Sequence, residues 1–179
     1  MSIAEVVQSI PTGTWTSDST HSSIEFSVLH NGLTPFRGGF EEFEALLVDG
    51  RLTGVAKVAS ITTEDANLTG HLLSPDFFDA ERNPELRFEA KEVRLDGAAV
   101  TVEGELTLKG ATQPVELRGR VAGPVKDAYG NTRLGLELET TIDRTDFGIN
   151  WNAELPNGLP LLANEVKLTA NVQFIRQES

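Results

Sequence analysis

The sequence contains no cysteine, so disulfides, thiol nucleophiles and thiolate-bound zinc or iron–sulfur clusters are excluded. Basic residues are also few, with 15 Lys and Arg against 27 Asp and Glu and a formal net charge of -12. An acidic surface repels phosphate backbones and anionic lipid head groups. We therefore expect no binding to nucleic acid. A net charge of this size is typical of a charged surface that keeps a protein soluble.

Long apolar runs are missing as well. No stretch of 18 consecutive apolar residues is present, so no helix is expected to span a membrane. At the N-terminus Glu5 precedes every Lys and Arg, and no small-residue cleavage site follows, so the start does not resemble a signal peptide and predicts a cytoplasmic protein. The length of 179 residues predicts a single domain over residues 13–177, preceded by an N-terminal extension over residues 1–12.

What the sequence does contain is alternation of apolar and polar residues, from residue 22 onward. In 100–108, for example, Val100, Val102, Leu106 and Leu108 alternate with polar residues. One apolar and one wet face is typical of antiparallel sheets in barrels and sandwiches. About eight long strands joined by short turns predict an all-β protein, and the length of the strands favours a closed antiparallel barrel over a sandwich.

Local features interrupt this pattern. Asp49-Gly50 predicts a tight hairpin turn, and a slip in phase between Phe40 and Phe43 predicts a bulge near Gly38-Gly39. A short helix is predicted near 64–72, with Thr63 as its N-cap, and residues 143–163 are predicted to be a structured loop.

Small residues recur on the apolar face of the predicted strands. They either leave room for a bound ligand or make space for neighbouring phenylalanine rings, and the sequence leaves both interpretations open. These residues are Gly54, Ala56, Ala90, Gly104, Gly119 and Ala170.

Few residues suggest chemistry. The three histidines, His21, His30 and His71, have no metal-ligand spacing, and no nucleotide-binding or hydrolase motif occurs, so we expect no metal, no cofactor and no enzymatic activity. His30 shares the apolar face of its strand, where a hydrogen-bonded structural role is the commoner one. The Asp143-Arg144 pair, with Asp146 nearby, is interpreted as a surface ion pair and cap that orders the following loop.

Large aromatic residues occur in both irregular segments, with Phe77 and Phe78 in the first and Phe147 and Trp151 in the second. Aromatic side chains in loops need an apolar place to pack. In a barrel they either line the mouth and interior or plug the end as core.

Several motifs, in this order and spacing, resemble the YceI-like family of bacterial lipid-binding barrels. The resemblance runs from Trp15 to about Phe174, and the chain departs from it at Thr69-Gly70, where the family often has Arg-Asp. The motifs are Trp15 with Asp18 and His21-Ser22, His30, Gly38 with Phe40, His71-Leu72 followed by Ser74-Pro75-Asp76-Phe77-Phe78-Asp79, Asn83-Pro84, Gly104-Glu105-Leu106-Thr107-Leu108-Lys109-Gly110, and Asp143-Arg144 with Asp146-Phe147-Gly148.

The resemblance implies an extended, eight-stranded, lipocalin-like antiparallel barrel that binds a polyisoprenoid, such as an isoprenoid quinone or prenyl phosphate, for transport, storage or sequestration. Two alternatives stay open: an enzyme acting on an apolar substrate through His30 and a nearby carboxylate, or a stress-linked scaffold. A homodimer is also left open. The candidate ligand-binding residues are Phe26, Val28, His30, Phe36, Phe40, Phe77, Phe88 and Phe147.

Overall fold

The computed structural model describes residues 11–178, so most of the expected N-terminal extension, residues 1–12, lies outside the described residues. Within the described range, eleven strands and one α-helix make up the regular structure. Their bounds are β1 Thr14–Ser17, β2 Ser23–His30, β3 Thr34–Phe40, β4 Phe43–Val48, β5 Arg51–Lys57, β6 Ile61–Thr63, α1 Ala66–Leu73, β7 Glu85–Asp96, β8 Ala99–Leu108, β9 Ala111–Lys126, β10 Thr132–Asp143 and β11 Leu162–Arg176.

Eight of these strands close into a barrel, as the sequence predicts. The order around the ring is β1-β4-β5-β7-β8-β9-β10-β11, and β11 pairs back to β1. Beyond the ring, β2, β3 and β6 continue the wall from β11. Three long strands are interrupted, and their halves are β1 and β2, β3 and β4, and β5 and β6. With each interrupted strand counted once, the chain runs along the barrel wall eight times.

The interruption between β3 and β4 lies at 41–42, so the predicted bulge at Gly38-Gly39 is wrong. Gly38 and Gly39 pair in regular register with Phe26 and Glu25. The phase slips at 41–42 because the strand changes partners there, from β2 to β1.

The turns follow the sequence closely. Asp49 and Gly50 have φ values of 49° and 84°, and two successive positive φ values are what a type I′ hairpin turn needs. In β7 the register shifts between Ala90 and Glu92. The apolar residues Phe88 and Ala90 before the shift are therefore out of phase in the sequence with Val93 and Leu95 after it.

Helix α1 begins two residues later than the sequence suggested. Its N-cap is Asp65, whose carboxylate accepts a hydrogen bond from the backbone N–H of Asn67 at 2.9 Å. Thr63 is wrong as the cap because it is the last residue of β6 and pairs with Gly38. Its hydroxyl instead lies 2.8 Å from that of Thr69. No helix in residues 11–178 is long and apolar enough to cross a membrane.

The barrel encloses two groups of buried side chains. At one end Trp15 and Phe174, with 1% and 0% exposure, pack between β1, β11 and the neighbouring strands. Toward the other end, phenylalanines of β2, β3 and the segment after α1 pack together, and α1 covers them through Leu72. Residues 144–161, between β10 and β11, complete this second end with a 3-10 turn, Arg144–Phe147, and an irregular stretch.

Candidate functional site

Two apolar cavities lie inside the barrel and share part of their walls. The small chamber has a volume of about 50 Å³ and the large chamber about 110 Å³. Phe40, Leu86 and Leu168 belong to the walls of both, so these three side chains divide the two chambers. The remaining wall of the small chamber is Phe26, Val28, Phe36, Leu72, Phe77, Phe78, Leu108, Ile142, Arg144, Ile149, Leu162 and Val166.

The wall of the large chamber comes from strands around the whole ring. Apart from Thr53, Thr169 and Glu139, the described residues that form it are apolar or glycine. Besides the three shared side chains, the apolar and glycine members are Ile24, Ala45, Leu52, Gly54, Phe88, Leu106, Val115, Leu117, Leu136, Leu138, Ala170, Val172 and Phe174.

The volumes set what the barrel holds without rearrangement. An engineered apolar cavity of about 150 Å³ stays dry and binds benzene. By that standard, the large chamber accommodates about one branched five-carbon unit and the small chamber less. A longer chain therefore needs both chambers and displacement of the dividing side chains.

Edge-to-face contacts hold the aromatic wall of the small chamber in place. The ring of Phe26 lies 6.3 Å from the rings of both Phe36 and Phe78, and Phe40 lies 5.9 Å from Phe78. Such pairs add stabilisation beyond the burial of the rings. Phe78 is a lining residue that the candidate set omitted, although its place in an aromatic loop motif was visible.

The structure brings most of the candidate residues to the chambers. Phe26, Val28, Phe36, Phe40 and Phe77 line the small chamber. Phe88 lines the large chamber, and Phe40 also borders it.

Phe147 and His30 line neither chamber. Phe147 is 2% exposed and packs in the surrounding core, whereas His30 is half-buried at the end of β2. Contact of any of the candidate residues with a ligand stays a prediction.

Histidine and carboxylate pairs occur outside the chambers. Among the described residues these pairs are His21 with Asp18, at 2.8 Å, and His71 with Asp76, at 3.0 Å. His30 belongs to neither pair. The described residues also contain no group of three or more His, Asp or Glu side chains arranged to hold a metal ion.

Arg144 is buried in the wall of the small chamber, so the surface ion pair expected at Asp143-Arg144 is wrong. The Asp143 carboxylate does form the expected cap, accepting a hydrogen bond from the backbone N–H of Thr145 at 2.9 Å. Arg144 is 3% exposed and donates to three backbone carbonyl oxygens instead: Nε to Ala163 at 2.9 Å, and Nη1 to Ile149 at 2.9 Å and Trp151 at 2.8 Å. Burial lowers the pKa of this guanidinium.

A signal in the sequence pointed to this position. Leu134, Leu136, Leu138 and Ile142 face inward along β10, and residue 144 continues the same two-residue period. Extending the alternation past the strand end would have placed Arg144 inside.

A second aromatic group lies beside the small chamber. The imidazole of His71, in α1, lies 4.9 Å from the Phe77 ring and 4.7 Å from the Trp151 ring, both edge to face. His71 Nε2 also lies 3.0 Å from Asp76 Oδ2. These contacts join α1 to the segment after β10 at the rim of the chamber.

Arg133 ties elements together at the Trp15 end. Its Nη1 donates to Asp18 at 2.8 Å and to Gln173 at 2.7 Å, and its Nε donates to Asp127 at 2.6 Å. Hydrogen bonds from Arg133 hold the pKa of Asp18 and that of Asp127 at about 2. This cluster links the β9–β10 turn to the segment after β1.

The chain matches the model of the YceI-like domain over residues 15–174. A UPF0312 protein of Pseudomonas aeruginosa is 32% identical over 167 residues, which cover 89% of this chain and 84% of the relative. A UPF0312 protein of Photorhabdus laumondii is 34% identical over 165 residues, covering 88% and 83% respectively.

Solved structures share the fold at lower identity. Burkholderia cenocepacia BcnA superposes with a TM-score of 0.75 at 20% identity, covering 88% of this chain and 98% of its own. A domain of Saccharophagus degradans, described as polyisoprenoid-binding and implicated in plant cell wall breakdown, superposes with a TM-score of 0.70 at 14% identity, covering 91% and 98%. At these identities the likeness shows a common barrel.

Proposed function

The chain belongs to the YceI-like family, and we propose that it binds a long apolar ligand, a polyisoprenoid such as an isoprenoid quinone or prenyl phosphate, inside its barrel. The proposed role is transport, storage or sequestration of that ligand without chemical change. A domain of the same fold is described as polyisoprenoid-binding, which supports this choice of ligand.

The observation that carries the proposal is the pair of apolar chambers that share Phe40, Leu86 and Leu168. An isoprenoid tail offers many apolar carbons and few polar atoms, so it calls for an apolar cavity rather than a set of hydrogen-bond donors. Each buried CH₂ is worth about 0.8 kcal/mol. A few isoprenoid units therefore offset the loss of freedom on association, roughly 4–15 kcal/mol.

The arrangement favours binding over catalysis. A general acid or base must lie within hydrogen-bond reach of the reacting group. The two histidine–carboxylate pairs among the described residues, at His21 and His71, are not part of either chamber wall, and His30 lines neither chamber. The interior supports recognition by shape and apolar contact.

The proposal predicts that a larger side chain in the large chamber weakens binding. Ala170 lines that chamber, whereas Ala122 is exposed on β9. Titration of geranylgeraniol into the wild-type protein, followed by calorimetry, should give saturable binding that Ala170→Leu weakens about tenfold or more and Ala122→Leu leaves unchanged. Equal affinity in all three proteins would contradict binding in this chamber.

A cytoplasmic location is part of the same proposal. Fractionation of the native cells should recover the protein with cytoplasmic markers. Its recovery with periplasmic markers would contradict the proposed location and would leave the proposed ligand binding standing.

A further inference from the structure

Arg144 is the sole charged residue among the described residues that line the small chamber. A guanidinium has five N–H donors. Three of them are satisfied, since Nε donates to Ala163 and Nη1 donates to both Ile149 and Trp151. Nη2 is buried and has no hydrogen-bond partner among residues 11–178. Both of its hydrogens are therefore free.

A free buried donor of this kind is unusual. Buried arginines are normally paired with an anion, and a buried donor without a partner carries the full cost of its desolvation. The neighbouring Asp143 carboxylate bonds instead to the N–H and the hydroxyl of Thr145. All the partners of Arg144 are neutral carbonyl groups, so its charge is not matched by a bonded carboxylate.

We propose that Nη2 of Arg144 binds an oxygen atom at the polar end of the ligand, and that an anionic oxygen, above all a carboxylate, is preferred. This inference rests on the proposed function, because it assigns the polar end of the same apolar ligand. It places that end at the small chamber, whose surface in the empty barrel is entirely apolar, so an oxygen atom reaches Nη2 only when neighbouring side chains of the wall move. The tail then runs past Phe40, Leu86 and Leu168 into the large chamber.

The preference for an anion follows from charge. Hydrogen bonds between a guanidinium and an ionised oxygen are about twice as strong as neutral ones, and low local dielectric strengthens the attraction further. A neutral carbonyl oxygen satisfies the same donors without the charge. An apolar chain end that lacks an acceptor leaves both hydrogens of Nη2 free.

The size of the chamber limits the group that fits. Its volume is about 50 Å³, about a third of that of an engineered apolar cavity of about 150 Å³ that binds benzene. A single carboxyl group, or one carbonyl edge of a quinone, suits this space, whereas a whole quinone ring or a diphosphate enters only with displacement of the aromatic wall. Arg144 therefore selects, among isoprenoid lipids, those that end in a compact oxygen acceptor.

We call the proposed contact between Nη2 of Arg144 and the polar end of the ligand the anchor. Three probes with the same isoprenoid chain test it: farnesoic acid, methyl farnesoate and farnesene. In the wild-type protein, calorimetry at neutral pH should show the acid binding about tenfold or more tighter than farnesene, with the ester between them. Equal affinity for all three would overturn the anchor and leave binding in the barrel standing. Failure of all three to bind would overturn both proposals.

Variants separate the anchor from a general effect of charge. Arg144→Met should remove the difference between acid and farnesene while farnesene still binds. Arg118→Met, which alters an exposed arginine of β9, should keep the difference.

Nitrogen NMR of the wild-type guanidinium gives a second readout, which is needed because Arg144 also donates hydrogen bonds to three carbonyl groups. Its Nη signals should shift with farnesoic acid and not with farnesene, and the same shift with both probes would contradict the anchor.

Discussion

The ring of Phe26 lies directly against Gly38 of the neighbouring strand, so that a Cβ atom at residue 38 would lie 2.5 Å from Cζ of that ring. The glycine thus leaves the space that lets Phe26 form one wall of the small chamber. At Gly54, in the wall of the large chamber, the nearest atom to an added Cβ is the backbone oxygen of Glu44 at 3.9 Å.

These two glycines predict opposite effects of an added methyl group. Gly38→Ala should lower the free energy of unfolding by about 1–3 kcal/mol, because the ring of Phe26 must move. Gly54→Ala should leave it unchanged or raise it by about 0.5–1 kcal/mol, since glycine is unfavourable in a strand interior. Urea unfolding measures both. A Gly38→Ala protein as stable as wild type would contradict the close contact.

Replacement of the dividing ring should improve the binding of long tails. Phe40→Leu removes part of the barrier between the chambers, so geranylgeraniol should bind about threefold or more tighter than to wild type. Phe147→Leu is the matched control, because Phe147 is buried outside both walls.

Both substitutions should lower the free energy of unfolding by on the order of 1 kcal/mol. A comparison at equal loss of stability then isolates the effect on binding. The barrier would be in doubt if the two variants bound the tail equally well.

Loss of Arg144 should destabilise the end of the barrel that α1 covers. Arg144→Lys cannot reach all three carbonyls of Ala163, Ile149 and Trp151, and each buried acceptor left unpaired costs about 1–3 kcal/mol. Urea unfolding should therefore show a loss of roughly 3 kcal/mol, while Arg118→Lys, at an exposed site, should change little. Equal stability of the two variants would be evidence against the role of Arg144 as a support of the 144–161 segment.

Stability should fall in acid because of the Arg133 cluster. The pKa of Asp18 and that of Asp127 are about 2 in the folded protein, below the usual value of 3.8. The ion pairs therefore stabilise the fold above about pH 4, and this contribution is lost as the pH falls toward about 2.

Arg133→Met tests this assignment, because it removes the partner of both carboxylates. The free energy of unfolding of the variant should depend less on pH between about 2 and 4 than that of wild type. Parallel curves for the two proteins, measured by urea unfolding at several pH values, would show that other carboxylates cause the acid sensitivity.

The sequence predicts the barrel because its signal is local. Burial alternates residue by residue along β8, where Val100, Val102, Leu106 and Leu108 are buried as their spacing implies. Turn chemistry at Asp49-Gly50 is equally local. The break at 41–42 was misplaced because it depends on which strands are neighbours, and this information lies far away in the chain.

The small residues of the apolar face show why the sequence alone does not predict the whole candidate site. A Cβ at Gly104 would collide with the backbone oxygen of Glu89 and would lie 2.7 Å from Cζ of Phe88, so this glycine makes room for the neighbouring strand and for a ring. Gly54 and Ala170 instead border the large chamber. Small residues therefore make space for a neighbouring ring at one position and border a cavity at others, and whether that cavity holds a ligand stays a prediction. Which applies to which residue depends on cross-strand neighbours, as does the inward direction of Arg144 beyond the end of β10.

The central claim is that the barrel interior holds an isoprenoid lipid, and its most direct test is the content of the protein purified from its native cells without detergent. Organic extraction followed by mass spectrometry should recover an isoprenoid compound in amounts comparable to the protein, and less from the Ala170→Leu variant. Recovery of no apolar compound from a protein that also fails to take up added geranylgeraniol would contradict the account.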